Sequence, residues 1–431
     1  METKQHEKNF MSWYFDFNLL YRILIGMVIG AILGITLGNN ILWIAPFGDL
    51  FVRLLKMIVM PIIISTLICG AASISPATVG KIGTRIVVIY LITSAFAVLI
   101  GLLAGFIFHP SADLSGFALA TVAGKEVASM SVVDTFLNIV PTNVFKAVND
   151  AQVLPVIFFS IIFGLGVSYL IVSDDEKLQK SGNTILNFFT GVSEVMTKMV
   201  TGIMQYAPIG VLSLIAVVFA KQGPKVVGSL GMVVAAAFTG YLIQILFVYV
   251  GMVSLFGLKP KRFWHEARNP FVTGLGTRSS YGTLPVTMTA AENLGVSKDI
   301  YSFSLPLGAT INMDGTAIYQ GVCATFIALT ATGVGLTAAQ MGTIVITATL
   351  ISIGTAGIPG AGAIMLLMVL DSIGLKVEAG TAVAGAYAMI LGIDAILDMG
   401  RTALNVTGDL ASTTCVAKSL HEIDMSVWND K

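Results

Sequence analysis

The chain has 431 residues, of which 55% are apolar and 11% charged, with 24 basic and 24 acidic side chains and a mean hydropathy of +0.87. That balance excludes a soluble enzyme built on one large core, and the absence of net charge argues against nucleic acid as a partner. An all-α polytopic membrane protein is the class that fits.

From the N-terminus, polar and aromatic residues carry Lys4 and Lys8 up to the first apolar run. No short core with a small-residue cleavage site follows, so the first span is expected to be retained. Apolar segments then cover about 19–38, 43–69, 82–108, 151–173, 185–219 and 226–257, each long enough to cross a bilayer at roughly twenty residues per span. Arg53 and Lys56 inside the second imply a tilted or partly protein-lined helix. A polar stretch, 109–150, separates the third and fourth. The clusters Lys4/Lys8, Lys81/Arg85, Lys177/Lys180 and Lys259/Lys261/Arg262/Arg268 fall two spans apart. Cytoplasmic termini follow from that spacing, with Lys221 and Lys225 as an exception.

Beyond residue 268 the pattern changes. Regions 270–296 and 340–374 are apolar, yet their middles read Arg278-Ser-Ser-Tyr-Gly-Thr-Leu-Pro285 and Gly354-Thr-Ala-Gly-Ile-Pro-Gly-Ala-Gly362. A helix cannot run smoothly through such tips, so each region predicts a re-entrant helical hairpin. Each is followed by a polar span, the first with Asn312-Met-Asp314-Gly-Thr316 and the second with Asp394 to Asp409. The sum is eight spans and two hairpins with an internal repeat, the pattern of a transporter whose site lies between broken elements.

The last span holds the sharpest signal. Asp394, Asp398, Arg401, Asn405 and Asp409 are spaced four, three, four and four apart, so they share an arc of roughly 80° on a helix. Lipid cannot solvate that stripe, which must face protein, ions or substrate. Arg401 offers a planar fork for a carboxylate, Asp398 an acceptor for an ammonium group, and Asn405 both donors and acceptor. Helix N-termini at the hairpin tips suit a second carboxylate. The ligand matching this set is an acidic amino acid. The plainer alternative is that Asp394, Asp398 and Arg401 only neutralise one another. Asp314 and Asp409, with Asn312 and carbonyls of unwound helix, suit a hard monovalent cation such as sodium. Arg278 either pairs with an aspartate of the stripe or reaches the aqueous side. Tyr90, Thr93 and Ser94 share a face of the third span, where core packing is the ordinary reading. Cys69, Cys323 and Cys415 lack paired or metal-type spacing and read as buried small hydrophobes.

The two tips, Asn312-Met-Asp-Gly-Thr-Ala317 and Asp398-Met-Gly-Arg-Thr-Ala-Leu-Asn-Val-Thr-Gly-Asp409 closely resemble, in order and over the whole chain, the signature segments of the glutamate transporter family. These are dicarboxylate/amino acid:cation symporters, and the likeness is nearest to prokaryotic sodium–aspartate symporters. The resemblance implies that Arg401 with Thr316 holds the side-chain carboxylate and Asp398 the α-ammonium. Asn405, Ser280 and the backbones near Ile358 and Gly362 would hold the α-carboxylate, with Arg278, Ser279 and Thr402 in the same site. It also implies three sodium sites. One uses Asp409 with Gly308, Asn312 and Asn405. A second uses Thr310, Ser352, Ile353 and Thr355. The third uses Asp314, Asn312, Tyr90, Thr93 and Ser94.

Family likeness further implies a homotrimer with inverted repeats and an elevator mechanism, in the inner (plasma) membrane. A scaffold would take residues 1–77 and 111–222 (including the loop 111–150), and a moving transport domain residues 78–110 and 223–431, with the second hairpin as gate. Two departures stand out. Tyr281 occupies a position that is often serine, giving a bulkier tip. Gln320 stands where animal relatives carry a proton- and potassium-linked glutamate, which favours coupling to sodium alone. A proton-coupled carrier of the same fold is the main rival. An intramembrane aspartyl protease is a weaker one, because Arg401 would keep both Asp394 and Asp398 ionised where a protease dyad shares a proton. A nucleotide-driven pump is weaker still, since no Gly-Lys-Ser/Thr follows the glycines at 357–362.

Overall fold

The computed structural model describes residues 17–72, 83–112, 140–150, 152–352, 357, 359–378 and 380–429. Lys4, Lys8, Lys81, most of the loop 111–150 and the tip residues Ile353, Gly354, Thr355, Ala356 and Ile358 lie outside them. No strand is formed among the described residues; Val296 and Ile423 make one isolated bridge.

The apolar runs become helices close to where hydropathy puts them. They are α1 Leu19–Leu37, α2 Ala45–Ala72, α3 Thr84–Phe108, the short α4 Val144–Asn149, α5 Val153–Ile171, α6 Glu176–Gln222 and α7 Val226–Leu255. Five helical stretches among the described residues are long and apolar enough to cross a membrane. α6 starts well before the apolar segment at 185, because the Asp175 carboxylate caps it by accepting from the Lys177 and Leu178 amides at 2.8 and 3.4 Å. Its 47 residues extend roughly 70 Å, more than twice a bilayer core.

Each apolar region after residue 268 turns back on itself. α8 Pro260–Thr277 and α9 Ser280–Asn293 are joined through Arg278 and Ser279, and α12 Ala338–Ser352 and α13 Ala361–Ser372 through the glycine-rich segment. The first arm begins at Pro260, ten residues earlier than the apolar pattern suggested. Pro260 suits the first helical position, and the Arg262–Glu266 pair at 3.1 Å supports a polar face that hydropathy alone reads as loop. Between the hairpins, α10 Lys298–Ile311 and α11 Asp314–Thr332 form one broken span, interrupted at Asn312 and Met313. After the second hairpin, α14 Ala382–Leu420 runs unbroken for 39 residues and carries the polar stripe. A short α15, Ser426–Asn429, ends the chain's described part.

Helices α1, α2, α5 and α6 pack on one another, while α3, α7 and the hairpins surround α11 and α14. Every residue from Asp314 to Ala331 is buried, as is nearly all of α14 up to Ala417. The charged residues are therefore at the centre of the bundle, and the apolar ones are distributed around it.

Small residues let backbones approach at the crossings. In α1, Gly26, Gly30 and Gly34 lie against the Pro208, Leu212 and Ala216 carbonyls of α6; a Cβ at Gly26 would stand 2.5 Å from the Pro208 oxygen. In the other group, Gly101 of α3 meets the Ile318 backbone, and a Cβ on Gly321 would come within 2.8 Å of the Leu102 nitrogen. This second close crossing sets Tyr90, Thr93 and Ser94 beside the break in the α10–α11 span. At the chain's end, the Trp428 indole N–H donates to Leu294 O at 2.8 Å, and the Asp424 and Ser297 amides donate to Gly295 O and Glu422 O at 2.8 and 3.0 Å. Hydrogen bonds from Ser426 hold the exposed Asp424 carboxyl below its ordinary range.

Because Gly30 has backbone directly opposite it, Gly30→Leu should force α1 off α6 at a cost of about 1–3 kcal/mol. Thermal unfolding in detergent should show a melting temperature lower than that of the parent; an unaltered one would contradict this crossing.

Candidate functional site

The stripe on α14 is buried throughout: Asp394 is 7% exposed and Arg401 2%. Arg401 Nη1 lies 3.2 Å from Asp394 Oδ1, while its Nη2 and Nε lie 2.8 and 3.2 Å from Asp398 Oδ1. The guanidinium carbon also stands 4.6 Å from the Tyr319 ring centroid, a cation–π contact from α11. Although close to Asp398, Nη2 is poorly aligned with it and makes no hydrogen bond. One donor of the fork thus has no protein acceptor among the described residues, and an unmade buried bond costs about 1–3 kcal/mol.

Asp398 also accepts from Thr402 Oγ1 and the Gly360 amide, both at 3.3 Å. Gly360 has φ of +82° and precedes α13, so the N-terminus of that helix is aimed at the stripe. Gly362 packs so closely that a Cβ there would collide with the Arg401 guanidinium. The other tip comes to the same place. The Ser279 side chain caps α9 by accepting from the Gly282 amide at 3.1 Å, and its hydroxyl donates to Gly357 O at 2.9 Å. The two hairpin tips therefore touch each other over the stripe.

One small pocket results, lined by Arg278, Ser280, Thr316, Gly362, Asp398, Arg401, Thr402 and Asn405 together with Met313, Gly357 and Ala361. Eight of the ten residues that the sequence assigned to a substrate site meet in this wall. Ser279 sits just behind it, and Ile358 lies outside the described residues. The pocket volume is about 10 Å³, room for roughly one water, so a larger ligand enters only if a wall moves. Arg278 is 7% exposed and largely enclosed by the fold. It caps α8 in the left-handed region at φ 53° and lines a second small cavity with Asp394.

The break between α10 and α11 builds a second polar centre. Asp314 Oδ1 accepts from Ser94 Oγ at 2.8 Å and Thr93 Oγ1 at 3.4 Å. Its Oδ2 accepts from the Tyr249 hydroxyl at 2.7 Å and the Gln244 amide at 3.2 Å. Thr93 Oγ1 also lies 3.2 Å from Asn312 Oδ1, and Asn312 Nδ2 donates to Asp409 Oδ1 at 2.9 Å. Tyr90 donates to Ser304 O at 2.9 Å, beside Gly308, whose missing Cβ would fall 2.6 Å from Asp409 Oδ1. Among the described residues no basic side chain lies within 4 Å of Asp314 or Asp409. Two buried carboxylates with neutral oxygen neighbours suit a hard monovalent cation.

Of the expected cation ligands, Tyr90, Thr93, Ser94, Asn312 and Asp314 converge, and Asp409 and Gly308 adjoin them. Asn405 joins the two centres differently: its Oδ1 accepts from the Gly315 amide at 2.7 Å, and its Nδ2 contacts Met313 Sδ at 3.0 Å. Among the described residues, the Thr310 and Ser352 hydroxyls donate within their own helices, at 2.7 and 2.6 Å to Leu307 O and Thr349 O. Ile353 and Thr355, the remainder of that set, lie outside the described residues. Sequence reading missed Gln244 and Tyr249. The available signal was a lone amide in the apolar run Tyr241-Leu-Ile-Gln-Ile-Leu-Phe-Val-Tyr249.

Comparisons with known proteins agree with this geometry. The model of the sodium:dicarboxylate symporter family matches residues 19–419. A proton/sodium-glutamate symport protein of Bacillus caldotenax is 35% identical, over 97% of this chain and 94% of its own. The proton/glutamate-aspartate symporter of Escherichia coli is 34% identical over 95% and 94%. The human neutral amino acid transporter B(0) is 32% identical over 84% of this chain and 71% of its own. The chain therefore belongs to the sodium:dicarboxylate symporter family, as a multi-pass membrane symporter of dicarboxylates or amino acids and not an enzyme.

Proposed function

We propose that this protein imports an acidic amino acid, L-aspartate or the one-methylene-longer L-glutamate, in symport with sodium ions. The observation that carries the reading is Arg401 with one unspent donor, next to Asp398 and beneath two helix N-termini. That set offers a fork for the side-chain carboxylate, an anion for the α-ammonium, and Asn405, Ser280 and tip amides for the α-carboxylate. Arg278, Ser279, Thr316, Thr402, Ile358 and Gly362 complete the substrate site.

Three sodium ions are co-transported in this reading. The carboxylates of Asp314 and Asp409, surrounded by neutral oxygens, support two of the sites, and the family likeness alone supplies the third at Thr310, Ser352, Ile353 and Thr355. A second reading, proton coupling on the same fold, is favoured by the printed names of the bacterial relatives, which include protons.

Eight spans and two re-entrant hairpins in inverted repeat accommodate the helices described above, with both termini cytoplasmic in the inner membrane. The denser packing of α1, α2, α5 and α6 on one another, with α14 lying against α6, supports a scaffold (1–77 and 111–222) against which a transport domain (78–110 and 223–431) moves as an elevator. A homotrimer is part of the same proposal.

Uptake of radiolabelled L-aspartate into proteoliposomes separates the readings. An inward sodium gradient is expected to drive it and a proton gradient alone is not. Uptake on protons alone would dismiss the sodium sites, and none under either gradient would overturn the substrate. Arg401→Ala removes the carboxylate partner, so L-aspartate affinity should fall by about 3–5 kcal/mol; calorimetric titration showing retained affinity would refute its role. Asp409→Asn should flatten the dependence of aspartate binding on sodium concentration, and an unchanged dependence would move that ion elsewhere.

A further inference from the structure

The polar centre at Asp314 includes two residues that no role assigned so far uses. Gln244 and Tyr249 are fully buried in α7, in a wide turn of i→i+5 hydrogen bonding over Gln244–Tyr249. Five residues apart on an ordinary α-helix, they would face directions about 140° apart. The wide turn brings both to one carboxylate oxygen, Asp314 Oδ2, at 3.2 and 2.7 Å. The other oxygen, Oδ1, receives the Ser94 hydroxyl and the long Thr93 contact.

Asp314 is thus divided. One oxygen is held from α7 by a strong donor pair, and the other faces the Tyr90–Thr93–Ser94 side of α3. We propose that Gln244 and Tyr249 are positioning residues that clamp Asp314 Oδ2, so that Oδ1 is presented to the cation in a fixed orientation. The inference rests on the reading of Asp314 as a sodium ligand. Four further observations support a built clamp. Gln244 Nε2 also donates to Thr93 O at 3.2 Å, so the same amide fixes both a carboxylate and the backbone of a second expected ligand. Tyr249 is wedged against Gly408 of α14, where a Cβ would collide with its hydroxyl and come within 3.2 Å of Asp314 Oδ2. The hydroxyl has one proton, and its second acceptor, Leu404 O, is 3.4 Å away, so that proton goes to Asp314. Gln244 Oε1, by contrast, has no protein partner among the described residues, so what this amide contributes to the centre is its donor.

The test uses the purified full-length transporter and reads sodium binding directly, as stabilisation against heat by sodium chloride without amino acid. Tyr249→Phe and Gln244→Leu keep the volume and remove one donor each. Each should raise half-saturating sodium by about three- to tenfold, the net worth of one ordinary hydrogen bond. The ratio of lithium to sodium affinity should shift as well, since a loosened carboxylate discriminates ion size less. Affinity for L-aspartate at saturating sodium should change much less than half-saturating sodium does. Asp314→Asn serves as the reference. If Asp314→Asn lowers sodium affinity and the two α7 variants do not, the clamp is wrong and the sodium ligand stands. If Asp314→Asn has no effect, the ligand reading itself falls and the clamp with it. Lower melting temperatures of the α7 variants at every sodium concentration, with half-saturation unchanged, would reduce them to packing and overturn the proposal.

Discussion

The bundle is organised by the burial of Arg401 against Asp394 and Asp398. An ionised guanidinium and two carboxylates, each under a tenth exposed, cannot be left to hydrocarbon and cannot be solvated by water where they stand. Their neighbours must supply that solvation. Tyr319 presents a ring face, Thr402 a hydroxyl, Gly360 an amide, and two helix tips their positive ends. Burying a charge triad costs more than packing leucines in its place, and bundles gain nothing in stability from it. Its presence is a functional expense, met by surrounding α14 with helices on nearly every side.

The Asp398–Arg401 pocket and the Asp314–Asp409 centre are joined through four consecutive residues. Asn312 bonds Asp409 and meets Thr93, Met313 contacts Asn405, Asp314 gathers four donors, and the Gly315 amide donates to Asn405. Helical hydrogen bonds are interrupted at this break, and one freed group, the Gly315 amide, finds its partner in Asn405 of α14. In the proposed reading a cation at Asp314 or Asp409 would act on the same short segment that fixes Asn405 in the pocket wall. The physical link is covalent and a few ångströms long, with no distant pathway needed.

Much of this was legible in the sequence because membrane burial simplifies the code. A charge inside an apolar run has few innocent explanations, so the Asp394–Asp409 stripe and Asn312–Asp314 stood out; helical spacing put the stripe on one face, and the family resemblance supplied the meeting of the two segments. The glycine- and proline-rich tips likewise announced the hairpins. The pattern failed where polarity was ordinary. The first arm of the hairpin, from Pro260, reads as loop because its face is charged. The early start of α6 depends on one capping carboxylate. Gln244 and Tyr249 were invisible to a period of 3.6 residues, since only the wide turn brings them together. Arg278 was ambiguous for another reason: its burial is set by the opposite hairpin and by α14, far away in sequence.

The tie between Trp428 and Leu294, with the Asp424 and Ser297 amides donating to Gly295 O and Glu422 O, gives the carboxyl-terminal end a use of its own. Among the described residues that end is fastened to the base of the first hairpin and not to the α1–α2–α5–α6 group. A fluorophore or spin label on the exposed side of α15 would therefore ride with the hairpin as a rigid attachment. Paired with a second label on the projecting first turns of α6, it makes a ruler read entirely outside the membrane.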